Sequence, residues 1–278
     1  MKHPDKWRET IDPFLLPYKC FRPTEILGYP HAGNDVFHAK GIMNGKEVTA
    51  YIKVARQSST SIENEVDILS KIEFSCIPTV IDFGFDKTPF SVTLEIPGER
   101  LSTILEANEH MESMSYLSEY GSVLANIHHL DINSNCVKDR RFFHVPSDEL
   151  LDKLNLAYMK KFFSCLPANE VHCFCHGDFH YANVLWQHHH ISGILDFELA
   201  GIGNRDFDIA WALFRRPGQQ FLKSSEEQNE FLHGYEQFGE YNTDSVKFYM
   251  AQCYVYFLKF CEKDEEYSTY IRTWLQQL

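Results

Sequence analysis

The pattern of apolar residues changes at Pro97-Gly98, and this change limits the folds open to the chain. Before it, short runs rich in β-branched and aromatic residues predict an antiparallel meander, with Asn44-Gly45 as a two-residue hairpin turn. One helix interrupts this meander, because apolar residues recur there at helical spacing: Ile62, Val66, Leu69 and Ile72. Proline followed by glycine ends regular structure, so we predict a lobe boundary at this point.

The sequence after Gly98 is mainly helical. One predicted helix carries four residues on a single face: Leu117, Gly121, Leu124 and His128. A second helical stretch covers 147–166, and a strand hairpin around a His-rich turn covers 183–195. We therefore predict an α+β fold of two lobes, a small antiparallel β-rich N-terminal lobe over 1–97 and a larger, mainly helical C-terminal lobe over 98–278.

Composition excludes several classes of protein. The 278 residues carry 26 Lys and Arg against 39 Asp and Glu, so the formal net charge is 26 − 39 = −13, which argues against a nucleic-acid partner. No run reaches the ~18 apolar residues of a membrane span. The start of the sequence lacks the apolar segment of a signal peptide, and the eight cysteines are scattered as reduced thiols are. We expect a cytoplasmic protein with no protein partner.

Two acidic segments carry the chemistry. Asp178 is followed five residues later by Asn183, and a second segment reads Asp196-Phe197-Glu198. Phosphoryl transfer from a nucleotide needs a carboxylate that accepts the proton of the attacking hydroxyl, and oxygen ligands that hold Mg²⁺. The Asp-x-x-x-x-Asn spacing and the later Asp-Phe pair also occur in the protein-kinase signature. The sequence therefore predicts Asp178 as the catalytic residue and Asn183 and Asp196 as metal ligands.

A nucleotide site also needs a lysine on a strand and a helix glutamate that orients it. Lys53 ends the strand-like run Ala50-Tyr51-Ile52-Lys53. Two acids compete as its partner, and Glu65 falls within the apolar arc of the helix whereas Glu63 falls on its polar side. A carboxylate on a buried face needs a partner, so we predict that Glu65 pairs with Lys53.

Several motifs together resemble those of the aminoglycoside phosphotransferase and choline kinase superfamily. The stretch His176–Leu185 meets every fixed position of that family's His-Gly-Asp-x-His-x-x-Asn-x-Leu motif, and Asp196-Phe197-Glu198 meets its Asp-Phe-Glu/Asp motif. Two further segments are similar to the family's Leu-Gly-x-x-Leu-Ala-x-Leu-His helix and to its segment after the metal-binding Asp: Tyr120–His128 and Asp206–Ala210. The ordered set covers most of the chain from 31 to 210.

This resemblance implies a bilobal protein-kinase-like fold that uses ATP or GTP with Mg²⁺. The turn at 31–37 resembles the phosphate-covering turns of the antibiotic kinases, which assigns Gly33 and Asn34 to nucleotide binding. Glu95 and Ile96 then lie at the hinge and meet the nucleobase through their backbone. His176 and Asp208 are interpreted as structural support for the loop that carries Asp178.

The acceptor is expected to be a small, cationic molecule with a hydroxyl group, most closely an aminoglycoside as in the antibiotic-resistance enzymes. A polycation needs carboxylates, and the candidates are Glu198, Asp206, Glu230, Glu236, Glu262, Asp264, Glu265 and Glu266. The alternatives are choline or ethanolamine, or another small alcohol or sugar. A quaternary ammonium needs an aromatic cage, for which the candidates are Trp211, Phe214, Tyr235, Tyr249, Tyr254, Tyr256 and Trp274. From these sets we select Glu198, Trp211, Glu230 and Tyr235 for substrate binding.

Other interpretations are weaker. A protein kinase needs His-Arg-Asp, Asp-Phe-Gly and Ala-Pro-Glu, none of which occurs at the matching places. A nucleotide-binding pseudokinase is expected to have lost Asp178, Asn183 or Asp196, and all three are present. The Cys and His residues around 172–180 do not have a usual zinc spacing, so we interpret Cys173 and Cys175 as small buried hydrophobic residues.

Overall fold

The chain divides into two compact units. The computed structural model describes residues 11–30, 33–56, 61–107, 113–261 and 264–278. The first unit comprises Met1–Glu99, Val184–Gln187 and Ile191–Ala200, and the second comprises Arg100–Asn183, His188–His190 and Gly201–Leu278. Two short segments of the first unit, at 184–187 and 191–200, thus fall in the range that the sequence analysis gave to the second lobe. No helix in the described ranges is long and apolar enough to cross a membrane.

An antiparallel sheet of five strands dominates the first unit, in the order β1-β2-β3-β5-β4. Its strands are β1 (Phe21–Gly28), β2 (Asp35–Met43), β3 (Lys46–Val54), β4 (Val80–Gly84) and β5 (Phe90–Leu94). Asn44 and Gly45 join β2 to β3 with φ angles of 51° and 78°, the left-handed values that a type I′ turn requires. The hairpin that the sequence predicts here is confirmed.

The core of this unit follows from strand alternation. Buried residues alternate along β2 from Asp35 to Gly41 and along β3 from Ala50 to Val54, whereas 90–92 of β5 are buried without a break. The fully buried apolar residues of these strands are Phe37, Ala39, Ala50, Ile52, Val54, Phe90 and Val92. Helix α1 (Ile62–Leu69) contacts β4 and β5. Its buried face includes one charged side chain, Glu65, among aliphatic residues. The sequence periodicity therefore places this carboxylate inside the unit.

A small three-stranded sheet has the order β6-β8-β9. Its strands are β6 (Glu99–Arg100), β8 (Val184–Gln187) and β9 (His190–Ile194). His188 and His189 make the turn between β8 and β9 with left-handed φ angles of 52° and 65°. The backbone N–H of Ile194 donates to the carbonyl of Cys76 at 2.6 Å, so β9 is anchored within the first unit.

The second unit is mainly helical, with one antiparallel strand pair. Its helices are α2 (Leu101–Ala107), α3 (Met114–His128), α4 (Asp148–Lys153), α5 (Lys160–Phe163), α6 (Arg205–Leu213), α7 (Ser225–Glu236), α8 (Thr243–Leu258) and α9 (Glu265–Leu275). The strands are β7 (His172–Cys175) and β10 (Gly201–Asn204). The helical stretch predicted over 147–166 contains α4, a 3₁₀ turn at Ala157–Met159 and α5, and the left-handed φ of 56° at Asn155 follows the end of α4.

Helices α3 and α7 approach each other to backbone contact. A methyl group built on Gly121 of α3 would lie 1.9 Å from the carbonyl oxygen of Phe231. A methyl group on Gly234 of α7 would lie 1.8 Å from the carbonyl oxygen of Ser118. The face of α3 that the sequence predicts as buried is buried, at Leu117, Gly121, Leu124 and His128.

Candidate active site

Lys53, on β3, lies among three carboxylates of the first unit. Its Nζ is 2.9 Å from Glu65 Oε2, 2.6 Å from Asp196 Oδ1 and 3.3 Å from Glu198 Oε2. Glu65 comes from the buried face of α1, and Asp196 and Glu198 follow β9. Glu63, the alternative partner weighed from the sequence, is exposed. We call these four residues, Lys53, Glu65, Asp196 and Glu198, the Lys53 cluster.

The electrostatics of the Lys53 cluster favour a charged lysine. Burial opposes the charge, but the carboxylates of Glu65, Asp196 and Glu198 raise the pKa of Lys53 well above its usual value. Burial also raises the pKa of Glu65, and Lys53 opposes that rise. One ammonium group faces three carboxyl groups, so the cluster has an excess of oxygen ligands and of negative charge. That donor set suits a hard divalent cation such as Mg²⁺.

Glu198 has several partners besides Lys53. The side chain amide of Asn34 donates to Glu198 Oε2 at 2.7 Å, and the backbone N–H of Ser61 donates to Oε1 at 3.0 Å. Its backbone carbonyl accepts from Asn64 of α1 at 3.1 Å. The selection of Glu198 as a substrate-binding acid is therefore corrected, because its carboxylate is part of the Lys53 cluster in the first unit. Its position two residues after Asp196 was the sequence signal for this.

The predicted phosphate-covering turn is partly described. Gly33 has a left-handed φ of 99° immediately before Asn34 and β2, and no atom of the described residues lies within 4 Å of a methyl group built on it. Such a position leaves room for a ligand to approach the backbone. His31 and Ala32 of this turn, like the candidate acid Glu262, lie outside the described residues.

Asp196 has an unusual backbone conformation. Its φ and ψ angles of 66° and 62° lie in the left-handed region, which few residues other than glycine adopt and in which aspartate is enriched. The residue precedes a single 3₁₀ turn at Phe197–Leu199. Strained backbone of this kind is concentrated at functional sites, so the geometry supports a site role for Asp196.

The segment predicted as the hinge follows β5. The backbone N–H of Glu95 donates to the carbonyl of Thr49 at 3.0 Å, and the Glu95 side chain is exposed. Ile96 is half-buried and packs close to Gly193, where an added methyl group would lie 3.0 Å from Ile96 Cγ2. The nucleobase contacts assigned to Glu95 and Ile96 stay predictions.

In the second unit, Asp208 of α6 shapes the loop that carries Asp178. Its carboxylate accepts the backbone N–H groups of His176 and Gly177 at 3.0 and 3.1 Å, immediately after β7. Gly177 has a left-handed φ of 77°, and the backbone N–H of Asp178 donates to His176 Nδ1 at 3.3 Å. His128 Nε2 also lies 3.2 Å from the Asp208 carboxylate. The supporting positions predicted for His176 and Asp208 fit these contacts.

The carboxylate of Asp178 is oriented by several side chains. Trp211 Nε1 donates to Oδ1 at 2.8 Å, and His180 Nε2 lies 3.6 Å from Oδ2. The side-chain amide of Asn183 donates to the backbone carbonyl of Asp178 at 3.0 Å. This bond fixes the amide of Asn183 and directs its Oδ1 away from that carbonyl. Burial acts to raise the pKa of Asp178, but His180, Arg140 and Arg216 hold it well below its usual range. The carboxyl group of Asp178 is therefore ionised at neutral pH.

Sequence reasoning missed the two arginines beside this carboxylate. Arg140 Nη1 lies 3.7 Å from Asp178 Oδ1, and Arg140 also donates to the carbonyl of Gly177. Arg216 follows α6, is buried, and interacts electrostatically with Asp178. The only sequence signal was two arginine pairs, Arg140-Arg141 and Arg215-Arg216, in an acidic chain.

The remaining substrate candidates lie in different surroundings. Tyr235 is buried and its hydroxyl is 2.7 Å from His128 Nδ1, so its selection as a cage residue is corrected to a core role. The sequence pattern of aromatic residues on a helix does not distinguish those that line a ligand cage from those that pack in the core. Trp211 lies beside Asp178, and the guanidinium of Arg140 lies 4.6 Å from its ring centre. Glu230 is half-buried on α7, and its role stays a prediction.

One set of three potential metal ligands occurs among the described residues. It comprises His128, Cys173 and Cys175, whose ligand atoms lie within 4.8 Å of one another. Both nitrogens of His128 already have partners, Tyr235 and Asp208. The neighbouring Cys173 and burial raise the pKa of the Cys175 thiol, which disfavours the thiolate that a metal needs. Cys175 is buried, as the sequence interpretation expects, whereas Cys173 is half-buried.

An antiparallel sheet with a lysine–glutamate pair, a mainly helical unit and an Asp–Asn loop together define the class of kinase-like phosphotransferases. The sequence model of APH, the phosphotransferase enzyme family, matches residues 33–249. The chain belongs to this family. The fold class and the enzyme class expected from the sequence are thereby confirmed, and no curated protein matches the chain by sequence.

Solved structures show the same fold at low sequence identity. Aminoglycoside phosphotransferase APH(4)-Ia is 14% identical, with a TM-score of 0.61 over 90% of this chain and 91% of that one. The streptomycin-ATP-APH(2")-IIa ternary complex is 18% identical, with a TM-score of 0.57 over 92% of each chain. An ethanolamine kinase of Plasmodium vivax is 16% identical, with a TM-score of 0.55 over 90% of this chain and 80% of that one.

Proposed function

We propose that this protein transfers the γ-phosphoryl group of ATP to a hydroxyl group of a small molecule. The observation that carries the proposal is the geometry of Asp178, whose carboxylate is oriented by the indole N–H of Trp211 within the family's catalytic loop. A carboxylate positioned in this way can orient an attacking hydroxyl and accept its proton as the phosphoryl group is transferred. Similarity to an ATP complex of an aminoglycoside phosphotransferase supports ATP as the donor, with GTP as the alternative.

Each half of the chemistry has its own residues. Lys53, oriented by Glu65, binds the nucleotide phosphates. Asp196 and Asn183 supply oxygen ligands for Mg²⁺, which neutralises phosphate charge when it is bound. Asp178 orients the acceptor hydroxyl and takes its proton. Positioning and charge neutralisation supply most of the catalysis in this reaction class.

Membership of the family does not identify the acceptor molecule. Aminoglycosides, choline and ethanolamine are the acceptors that the sequence favours, and structures of aminoglycoside and ethanolamine kinases share the fold. A test of transfer therefore uses a panel that includes these compounds. The readout is Mg²⁺-dependent consumption of ATP or GTP that rises when a panel member is added.

Replacing Asp178 by Asn tests the proposed base directly. The variant keeps an acceptor for Trp211 but loses the basic carboxylate, so transfer is expected to fall by roughly 10²–10⁴-fold. Binding of a non-hydrolysable ATP analogue is expected to persist, measured by calorimetry. Asp131→Asn, at an exposed position of the second unit, is the matched control. Full transfer activity in Asp178→Asn would sink the proposal, and nucleotide binding with no transfer by the unaltered protein would favour a pseudokinase.

A further inference from the structure

Two arginines flank the carboxylate of Asp178. Arg140 approaches it directly, and Arg216 packs on the ring of Trp211, whose indole N–H donates to Asp178. Arginine stays protonated in proteins, so two permanent cations lie beside one carboxylate. The immediate neighbourhood of the proposed base therefore holds two guanidinium groups beside the carboxylates of Asp178 and Asp208, although the whole chain has a net charge of −13.

Arg216 is a buried cation with an unused donor. Its guanidinium packs against the rings of Phe214 and Trp211, with centre distances of 4.3 and 5.1 Å. Nη2 donates to the carbonyl of Trp211 at 2.9 Å. Nη1 is buried and has no hydrogen-bond partner among the residues that the structure describes. The donors of a buried arginine normally have hydrogen-bond acceptors, so a ligand could supply the acceptor that Nη1 lacks here.

Two more buried polar groups share this condition. Arg140 Nε and the hydroxyl of Tyr120 are buried, and neither has a hydrogen-bond partner within the described part of the chain. The ring of Tyr120 stacks on that of Phe179, the residue after Asp178, with 4.9 Å between the ring centres, and the charge of Arg216 opposes the rise that burial causes in the pKa of Tyr120. We call Arg140, Arg216 and Tyr120 the donor cluster. All three unused groups can donate a hydrogen bond.

Leaving such donors unpaired is costly. A buried polar group without a partner costs roughly 1–3 kcal/mol, and more when it is charged. Three such groups next to one catalytic carboxylate, two of them on cations, form a site for an anion that brings its own acceptor oxygens. Carboxylate and phosphate groups match a guanidinium in both charge and geometry.

We infer that the acceptor carries an anionic group, a carboxylate or a phosphate, near the hydroxyl that receives the phosphoryl group, and that the donor cluster binds it. The inference rests on the proposed function, in which Asp178 accepts the hydroxyl proton. It departs from the sequence expectation of a cationic acceptor. A polycation would be repelled by both arginines, and the ring of Trp211 already contacts two guanidinium groups instead of a ligand ammonium.

Matched acceptor pairs test the charge preference. Each pair differs in one acidic group: glycerate and glycerol, homoserine and 3-amino-1-propanol, glucuronate and glucose, ribose 5-phosphate and ribose. Kanamycin, choline and ethanolamine complete the panel. With the full chain, ATP and Mg²⁺, the acidic member of at least one pair is expected to have a kcat/KM at least tenfold above its partner. The carboxylate and phosphate pairs distinguish the two sources of negative charge.

Two variants test whether the donor cluster is responsible. Arg216→Lys keeps the charge but loses the guanidinium fork, and it is expected to remove most of the preference for the acid. Tyr120→Phe removes a hydroxyl that has no partner in the described chain, so its stability is expected to hold while the KM of the acid rises severalfold. Tyr116→Phe, one helical turn earlier on α3, is the control for this second variant.

A binding measurement covers the case in which no panel member is phosphorylated. Inorganic sulfate is titrated into the full chain saturated with a non-hydrolysable ATP analogue and Mg²⁺, and binding is expected to weaken at least tenfold in Arg216→Lys. The inference is overturned if both variants keep the full preference for the acid, or if the unaltered protein prefers the amines. It is also overturned if no panel member is phosphorylated and sulfate does not bind. Transfer to an amine that still requires Asp178 would refute the anionic acceptor and leave the proposed function intact.

Discussion

At the residue scale, Asp208 links three parts of the second unit. Its Oδ2 accepts from His176 N and lies 3.2 Å from His128 Nε2, while its Oδ1 accepts from Gly177 N. The side chain is buried, so these bonds are protected from water. Packing gives Asp208 this role, because α6 contacts β7 and brings the carboxylate to the end of that strand.

We expect Asp208→Asn to destabilise the protein by about 2–3 kcal/mol. The amide retains only one oxygen, so its NH₂ group faces a backbone N–H donor that loses its acceptor. Denaturant-induced unfolding measures the change, with Asp86→Asn at an exposed position as control. An unchanged unfolding midpoint for Asp208→Asn would contradict the assigned hydrogen bonds.

Sequence reasoning identified residues whose spacing along the chain is fixed by the chemistry. Asp178 and Asn183 belong to one loop, and Glu65 was selected over Glu63 because helical periodicity places it on the buried face. Arg140 and Arg216 could not be found in this way, because the fold brings them to Asp178 from distant positions. No spacing rule connects either arginine to the loop.

At the element scale, local signals predicted the strands better than the helices. The Asn44-Gly45 hairpin depends on two adjacent residues that readily adopt left-handed backbone conformations. The helical stretch over 147–166 was predicted without its internal divisions, and a single left-handed residue, Asn155, separates α4 from the helical segments that follow. The sequence periodicity predicted a buried face on α3, but it did not predict that α7 packs against this face.

The contact between α3 and α7 predicts an inverted effect of a common stabilising substitution. Glycine to alanine in a helix normally raises stability by roughly 0.4–1 kcal/mol. Gly234→Ala is expected to lower it by about 1–3 kcal/mol or more, because the methyl group would lie 1.8 Å from the Ser118 carbonyl oxygen. Thermal unfolding measures the change, with Asn229→Ala on the exposed side of α7 as control. Higher stability of Gly234→Ala would show that the helices do not approach this closely.

At the scale of the whole molecule, net charge is a poor guide to the charge of a site. The chain has an excess of 13 acidic residues, yet two of its 26 basic residues lie beside Asp178. Three of the acids surround Lys53 and leave that cluster negative. The sequence expectation of a cationic acceptor came from the resemblance to aminoglycoside and choline kinases, whereas the inference of an anionic acceptor rests on the two arginines near Asp178.

Nucleotide binding is expected to stabilise the whole chain through Lys53. A ligand at a concentration 100 times its Kd adds about 2.7 kcal/mol, which corresponds to a rise in Tm of roughly 5–10 °C for a chain of this size. The experiment compares Mg²⁺ alone with Mg²⁺ and a non-hydrolysable ATP analogue, so that binding of the cation to the carboxylates does not count. In Lys53→Met, a tenfold weaker Kd would reduce the rise to about half. Lys71→Met, on an exposed lysine of the same unit, should retain the full rise. An equal ligand-induced rise in Tm for Lys53→Met and Lys71→Met would show that Lys53 does not contact the nucleotide. The rise is measured from each variant's own Tm without nucleotide, so a change in the stability of the variant does not affect this comparison.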